Sequence, residues 1–202
     1  MRHQWYADAR DLIKWGALIH LAKEQGIKRI IQVAYLRPDV IRPTLEYGNN
    51  SIEMPDVVWS HFRNLNDIKR LAKKTGIKIN LISTQYNAKD RLDYTRAVAR
   101  RCRAIKGAPA IVFLDPDTGI AENNAKPEHV TPEEVLRIWN ALLPESWLVL
   151  YQHRHHHKKW QIFKRAEFAK AIGLGLKNIR TIQARKGTGA TDVAFFCVKK
   201  DK

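Results

Sequence analysis

Apolar residues along the chain fall into two spacings that alternate from end to end. Leu12, Trp15, Leu18, Ile19 and Ala22 recur three and four apart, which predicts a first helix stopping at Gly26. Lys28–Leu36 is a continuous apolar run that predicts a buried strand, ended by Arg37-Pro38. Residues 37–54 hold prolines, glycines and little periodicity, and predict a long loop. Val58, Phe62, Leu65 and Ala72 mark a second helix closed by Gly76, and Ile77–Ser83 a second strand. Lys89–Lys106 predicts a basic helix, and Pro109–Leu114 a short third strand. Thr131-Pro132-Glu133-Glu134 is a capping box with proline at the first helical position, so another helix starts there. Trp147–Tyr151 is a fourth strand, and Lys158–Ile172 a helix ended at Gly173. Two last strand-like runs, Asn178–Ala184 and Asp192–Val198, flank Gly187-Thr188-Gly189 and predict an antiparallel hairpin.

Strands spaced by helices predict an α/β fold of three layers with a mostly parallel central sheet, and the element order resembles that of Rossmann and methyltransferase-like folds. The sheet is expected to end in the antiparallel hairpin, within one domain spanning residues 1–202. Ligands of such sheets bind outside the carboxyl ends of the strands. That rim brings together Tyr35, Arg37 and Asp39, then Ser83–Tyr86, then Asp115–Gly119, then Tyr151–Arg154.

Composition changes this picture mainly through charge. Thirty-six Lys and Arg against twenty Asp and Glu give a formal net charge of +16. The excess clusters at Arg96–Lys106, Arg154–Arg165 and Lys177–Lys186. A field of that sign gathers polyanions, so nucleic acid, RNA or DNA, is the expected partner. No run approaches the roughly 18 apolar residues of a membrane span, and no signal-peptide pattern opens the chain. With two cysteines and no disulfide framework, a cytoplasmic protein is expected.

Three segments carry candidate chemistry. In Ala110–Gly119 an apolar strand delivers Asp115 into a proline-stiffened turn, followed by Asp117. A carboxylate held in one direction suits recognition of a substrate amine or a metal ion. Asp115, Asp117 and His153 are the candidate catalytic residues. Ordinary turn chemistry is the alternative for the first two. In His153–Lys159 the residues Arg154, Lys158 and Lys159 are candidates for phosphate contact, with a solvated basic lead-in to the helix and a metal site as the competing readings. Adjacent histidines point apart, so His155, His156 and His157 do not together ligate one ion. On the first helix Asp8, Asp11 and Lys14 recur three apart and are expected on the face opposite the core stripe. Tyr86, Tyr94 and Trp160 are candidate base-stacking rings if exposed, and core residues otherwise.

Asp11-Leu12-Ile13-Lys14-Trp15 resembles the D-x-x-K-H stretch of adenine-N6 methyltransferases acting on large-subunit ribosomal RNA. Asp115-Pro116, after its apolar strand, resembles the start of their DPPY-type motif. The resemblance covers these two motifs and the element order. It implies S-adenosylmethionine as cofactor, Asp115 as acceptor of a hydrogen bond from the target amino group, and Lys14 near the cofactor. Tyr35, Arg37 and Thr84, at the ends of the first two strands, are the other candidate cofactor-binding residues. Asp117 and Thr118 stand where the motif has its second proline and aromatic, and the first strand carries no glycine. The expected function is a nucleic-acid-modifying enzyme. A nuclease or phosphoesterase using a divalent metal at Asp115 and Asp117 is one alternative. A non-catalytic nucleic-acid binder on an enzyme-derived fold is the other.

Overall fold

The structure is a computed structural model describing residues 8–37, 44–47, 50–55, 57–58, 65–105, 107–121, 123–187 and 189–201. Its centre is a six-stranded sheet of β1 (Arg29–Val33), β4 (Lys78–Ile82), β5 (Ile111–Leu114), β8 (Trp147–His153), β9 (Arg180–Ile182) and β10 (Val193–Lys199). They lie in the order β4-β1-β5-β8-β10-β9. The first four are parallel, and β10 runs antiparallel to both β8 and β9. The expected three-layer α/β class is therefore the one found, with the last strand inserted between β8 and the edge strand β9.

Strand parity builds the two interior layers. On β5, Ile111 and Phe113 face one side and Val112 and Leu114 the other; on β8, Trp147, Val149 and Tyr151 oppose Leu148 and Leu150. Every one of these side chains is buried, which is why the strands read as unbroken apolar runs. One face is covered by α1 (Ala9–Glu24) and α2 (Lys69–Thr75). The other is covered by α3 (Arg91–Arg103), α4 (Pro132–Ala141) and α5 (Trp160–Ala171). No helix among the described residues is long and apolar enough to cross a membrane.

Several expectations need correcting. Residues 37–54 are not all loop: β2 (Thr44–Tyr47) and β3 (Asn50–Glu53) pair as an antiparallel ribbon, whose backbone ladder needs no core to define it. Two short strands, β6 (Gly119–Ile120) and β7 (His129–Val130), pair in parallel beyond the motif at Asp115. Of the second helix, described residues show a 3-10 turn over Leu65–Ile68 running into α2; Phe62 lies outside the described residues, as does Asp39. Gly76 ends α2 in the left-handed region, as its position predicts. On α1, Leu12 is 75% exposed, while Asp11 and Lys14 lie on the buried stripe that Trp15, Leu18, Leu21 and Ala22 continue. The expected outward face of Asp11 and Lys14 is thus reversed. Tyr86, Tyr94 and Trp160 are all buried, so none offers a ring to a base.

The capping box forms as predicted: Glu134 N donates to Thr131 Oγ1 at 3.3 Å and Thr131 N to Glu134 Oε2 at 2.8 Å. Glu134 also accepts from Arg91, Thr95 and Tyr86, which ties α4 to α3. Burial pushes its carboxyl above the ordinary value, and Thr131 and Arg91 work against that. Thr131→Ala is expected to cost about 1 kcal/mol and lower Tm by roughly 2–4 °C for a chain of this size. Thermal denaturation of the variant measures it, and an unchanged Tm would show that the cap adds nothing here.

Candidate functional site

Parity along β5 decides where Asp115 goes. Ile111 and Phe113 face α1, and Asp115, two residues on, continues that face just past the strand's end. Its backbone N donates to Val33 O at 3.0 Å, so the β1–β5 pairing fixes the residue in place. Lys14, on the buried stripe of α1, reaches it from above. Lys14 Nζ lies 3.0 Å from Asp115 and 2.6 Å from Asp11 Oδ1. Gln32 of β1, also on the α1 face, donates from Nε2 to Asp115 Oδ2 at 2.7 Å. Lys14 Nζ further lies 5.3 Å from the centre of the Tyr151 ring.

One cation thus serves two carboxylates in a space almost closed to water. Asp11, Lys14 and Asp115 are 4%, 5% and 2% exposed. Burial pushes the Asp115 carboxyl above the ordinary value, with Lys14 opposing the shift and Asp11 adding to it. Burial likewise works to lower the Lys14 pKa, but attraction to Asp115 and Asp11 prevails and raises it. The lysine is therefore locked in its charged form.

Asp115 lines a cavity of about 480 Å³ at the carboxyl ends of β1, β5 and β8. Asp8, Asp11, Asp117 and Glu128 bring further carboxylates to its wall, and Arg10, Arg37 and His153 bring the cationic and imidazole groups. Asp117 is paired with Arg37, which also reaches Glu128 at 3.5 Å. Burial opposes charge on Asp117, yet Arg37 is among the groups that hold its carboxyl below the usual range. His153 is set by two contacts: Nε2 lies 3.1 Å from Asp192 Oδ2, and Nδ1 3.2 Å from Arg154 O. Asp192, just before β10, is bound by Arg10 at 2.5 Å as well. Against the effect of burial, that arginine draws the Asp192 carboxyl down.

The wall between Asp117 and β8 depends on one glycine. Gly119 has φ +117, and a Cβ there would lie 2.1 Å from Gln152 Oε1. Gln152 uses that closeness: Oε1 accepts from Ile120 N at 2.9 Å, and Nε2 donates to Thr118 O at 2.9 Å. The turn after Asp115 is thereby fastened to β8, so its residues hold fixed directions.

Of the residues singled out in the sequence, Lys14, Arg37, Asp115, Asp117 and His153 come together in this cavity. Tyr35 and Thr84 do not join it. Tyr35 is 1% exposed, with its ring against those of Tyr86 and Tyr94 at centroid distances of 5.2 and 5.4 Å. Thr84 lines a separate hollow beside Tyr94 and Arg101. Strand parity separates Tyr35, which continues the face of Ile31 and Val33, and Leu36 then bridges to Gln85, keeping the ends of β1 and β4 paired. Among the described residues, β1 and the segment that follows it to Arg37 carry no glycine. Asp115 and Asp117 bind different cations, Lys14 and Arg37, and no group of three His, Cys, Asp or Glu able to hold a metal ion occurs among the described residues. Arg154, Lys158 and Lys159 are exposed on the segment that leaves the cavity wall at His153.

Sequence reasoning missed Gln32, Arg10 and Asp192. Gln32 had a signal, a polar residue inside an apolar strand. Asp192 had none, since only the antiparallel register, with Val193 opposite His153, carries it to that histidine.

No protein-family model matches the chain, and no curated protein matches it. Among solved structures, a putative methyltransferase from Thermobifida fusca is 13% identical, with TM-score 0.46, covering 96% of this chain and 80% of that one. A DUF574 family protein from Streptomyces avermitilis is 13% identical, with TM-score 0.40, covering 95% and 82%. A putative rRNA-methylase from Clostridium thermocellum is 7% identical, with TM-score 0.38, covering 92% and 96%. At those values the fold assignment rests on this chain's own strand order.

Lys14→Met is expected to destabilise the protein by about 3–5 kcal/mol at neutral pH, because it removes the cation that two buried carboxylates share. A carboxyl whose folded pKa is raised favours the folded state at low pH and loses that contribution as pH rises. The deficit of the variant should therefore shrink on acidification, whereas Lys14 in the unaltered protein keeps its contribution until alkaline pH. Urea denaturation at about pH 5 and about pH 8 tests this, and an equal deficit at both would overturn it.

Proposed function

We propose that this chain is a nucleic-acid-modifying enzyme of methyltransferase-like fold, acting on a base amino group presented to Asp115. The observation that carries the proposal is a contrast of charge. A protein of net charge +16 places carboxylates around a cavity at the strand ends, beside an exposed basic run. Phosphates are drawn to Arg154, Lys158 and Lys159, and hydrogen-bond donors to the cavity.

A carboxylate offers about four lone-pair sites, and Lys14 and Gln32 do not use them all. Asp115 keeps acceptor capacity toward the cavity while its neighbours forbid it to turn. A base amino group that donates to it is held in one orientation, with its nitrogen toward the remaining space. Lys14 opposes the upward shift that burial gives the Asp115 carboxyl, and so favours its acceptor form. His153, held by Asp192, lines the same cavity and brings an imidazole to its wall. By resemblance the donor is S-adenosylmethionine, which would supply a methyl group. With Tyr35 closing the end of β1, it would share the Asp115 cavity with the acceptor.

Asp115→Asn keeps the shape and removes the charge. Modification of RNA or DNA, followed by mass spectrometry of the hydrolysed nucleosides after incubation with S-adenosylmethionine, is expected to fall by at least about 100-fold, the scale of losing a positioning hydrogen bond in a closed site. Binding should persist in the variant and fall steeply with salt as counterions are released. Salt-sensitive binding with no modification by the unaltered protein would leave it a binder alone.

A further inference from the structure

With Tyr86, Tyr94 and Trp160 buried, a nucleic-acid surface must find its ring elsewhere. The first turn of α5 supplies one. Phe163 is 50% exposed, and Ile162 beside it 59%. The His157 ring meets Phe163 edge-on, with centroids 4.6 Å apart and planes at 87°. That contact holds the phenyl group in place without covering it. The exposed cations Arg154, Lys158 and Lys159 lie within three residues of His157 along the chain.

The next residue fastens this surface to the cavity. Lys164 Nζ donates to Ile120 O at 3.0 Å, and Ile120 lies two residues beyond Thr118 in the cavity wall. His153 begins the same segment from the other side of that wall. Phe163 is thus joined to the turn after Asp115 through its neighbour Lys164.

Duplexes stack their bases on one another and present phosphates and groove edges. Unpaired strands present the faces of bases, which aromatic side chains accept without regard to sequence. We infer that the Phe163–His157 surface binds single-stranded nucleic acid, stacking an unpaired base on Phe163 while Arg154, Lys158 and Lys159 hold the flanking phosphates. This deepens the proposed function and rests on it for the choice of polyanion. An anionic lipid surface would also meet cations and apolar side chains. It would need a broad apolar helix face, and that of α5, with Trp160, Phe168 and Ala169, is spent on the core.

Fluorescence anisotropy with the full chain tests the inference, using a labelled single-stranded oligonucleotide and the same oligonucleotide annealed to its complement. Phe163→Ala should weaken single-strand binding roughly tenfold and leave duplex binding within about twofold, while Phe163→Tyr restores it. Lys158→Ala with Lys159→Ala should weaken both. The alanine change lies on the surface and is expected to alter stability by about 0.5 kcal/mol or less, which thermal denaturation verifies. Equal losses on both probes, no loss at all, or failure of Tyr to restore binding would overturn it. So would phosphatidylserine vesicles that compete the single strand away in a Phe163-dependent manner. The readout is independent of turnover: failure of base modification leaves the Phe163 effect intact, and loss of that effect leaves the Asp115 experiment to be decided on its own.

Discussion

Lys14 between Asp11 and Asp115 is the interaction on which the rest of this site depends. Removing three charges from water costs several kcal/mol for each, and one cation balances only one of the two carboxylates. The arrangement persists because each group has a partner: Asp11 one turn away on α1, Gln32 from β1, and the rings of Phe113 and Tyr151 under the ammonium. The cluster joins α1 to the carboxyl ends of β1 and β5, residues 101 apart in sequence. A helix that might have rested on apolar contacts alone is thereby held in one register on the sheet.

That same clamp gives Asp115 its character. An isolated carboxyl this deeply buried would take up a proton and become a donor. The charged lysine beside it works against that shift, and the carboxyl's direction is set by Gln32 and the backbone of Val33. Further out, Arg37 holds Asp117 and Asp192 holds His153. Such a wall presents hydrogen-bonding capacity with little freedom to rearrange, which is the condition for orienting a polar group rather than merely attracting it.

Charge is divided by place. The net excess of positive residues lies on the surface, on α3 and on the segment from Arg154 to α5, while the cavity gathers carboxylates. The long-range field and the short-range contacts thus have opposite sign.

The fold was largely legible in the sequence because its strands are buried on both faces and its helices are punctuated. Ile30–Val33, Ile111–Leu114 and Trp147–Leu150 are apolar without interruption, and Gly26, Gly76 and the Thr131 box mark helix ends by local backbone chemistry. Asp115 was legible for the same reason, since a carboxylate directly after a buried strand has one place to go. The inward turn of Asp11 and Lys14 was not. Their spacing fits an exposed salt bridge equally well, and only Asp115 and Gln32, brought over by the sheet, make burial the better state. Leu12 was exchanged to solvent in consequence. Tyr35 follows β1 to its end on the face of Ile31 and Val33, the layer opposite α1, where it packs against Tyr86 and Tyr94. Asp192 reached His153 through the antiparallel insertion of β10, and Phe163 was left outside when Trp160 and Phe168 filled the core. The sequence by itself determined which segments become strands and helices, because that information is local and periodic. Which polar side chains meet was decided by tertiary structure, because electrostatic partners are chosen across the sheet, by distance in space.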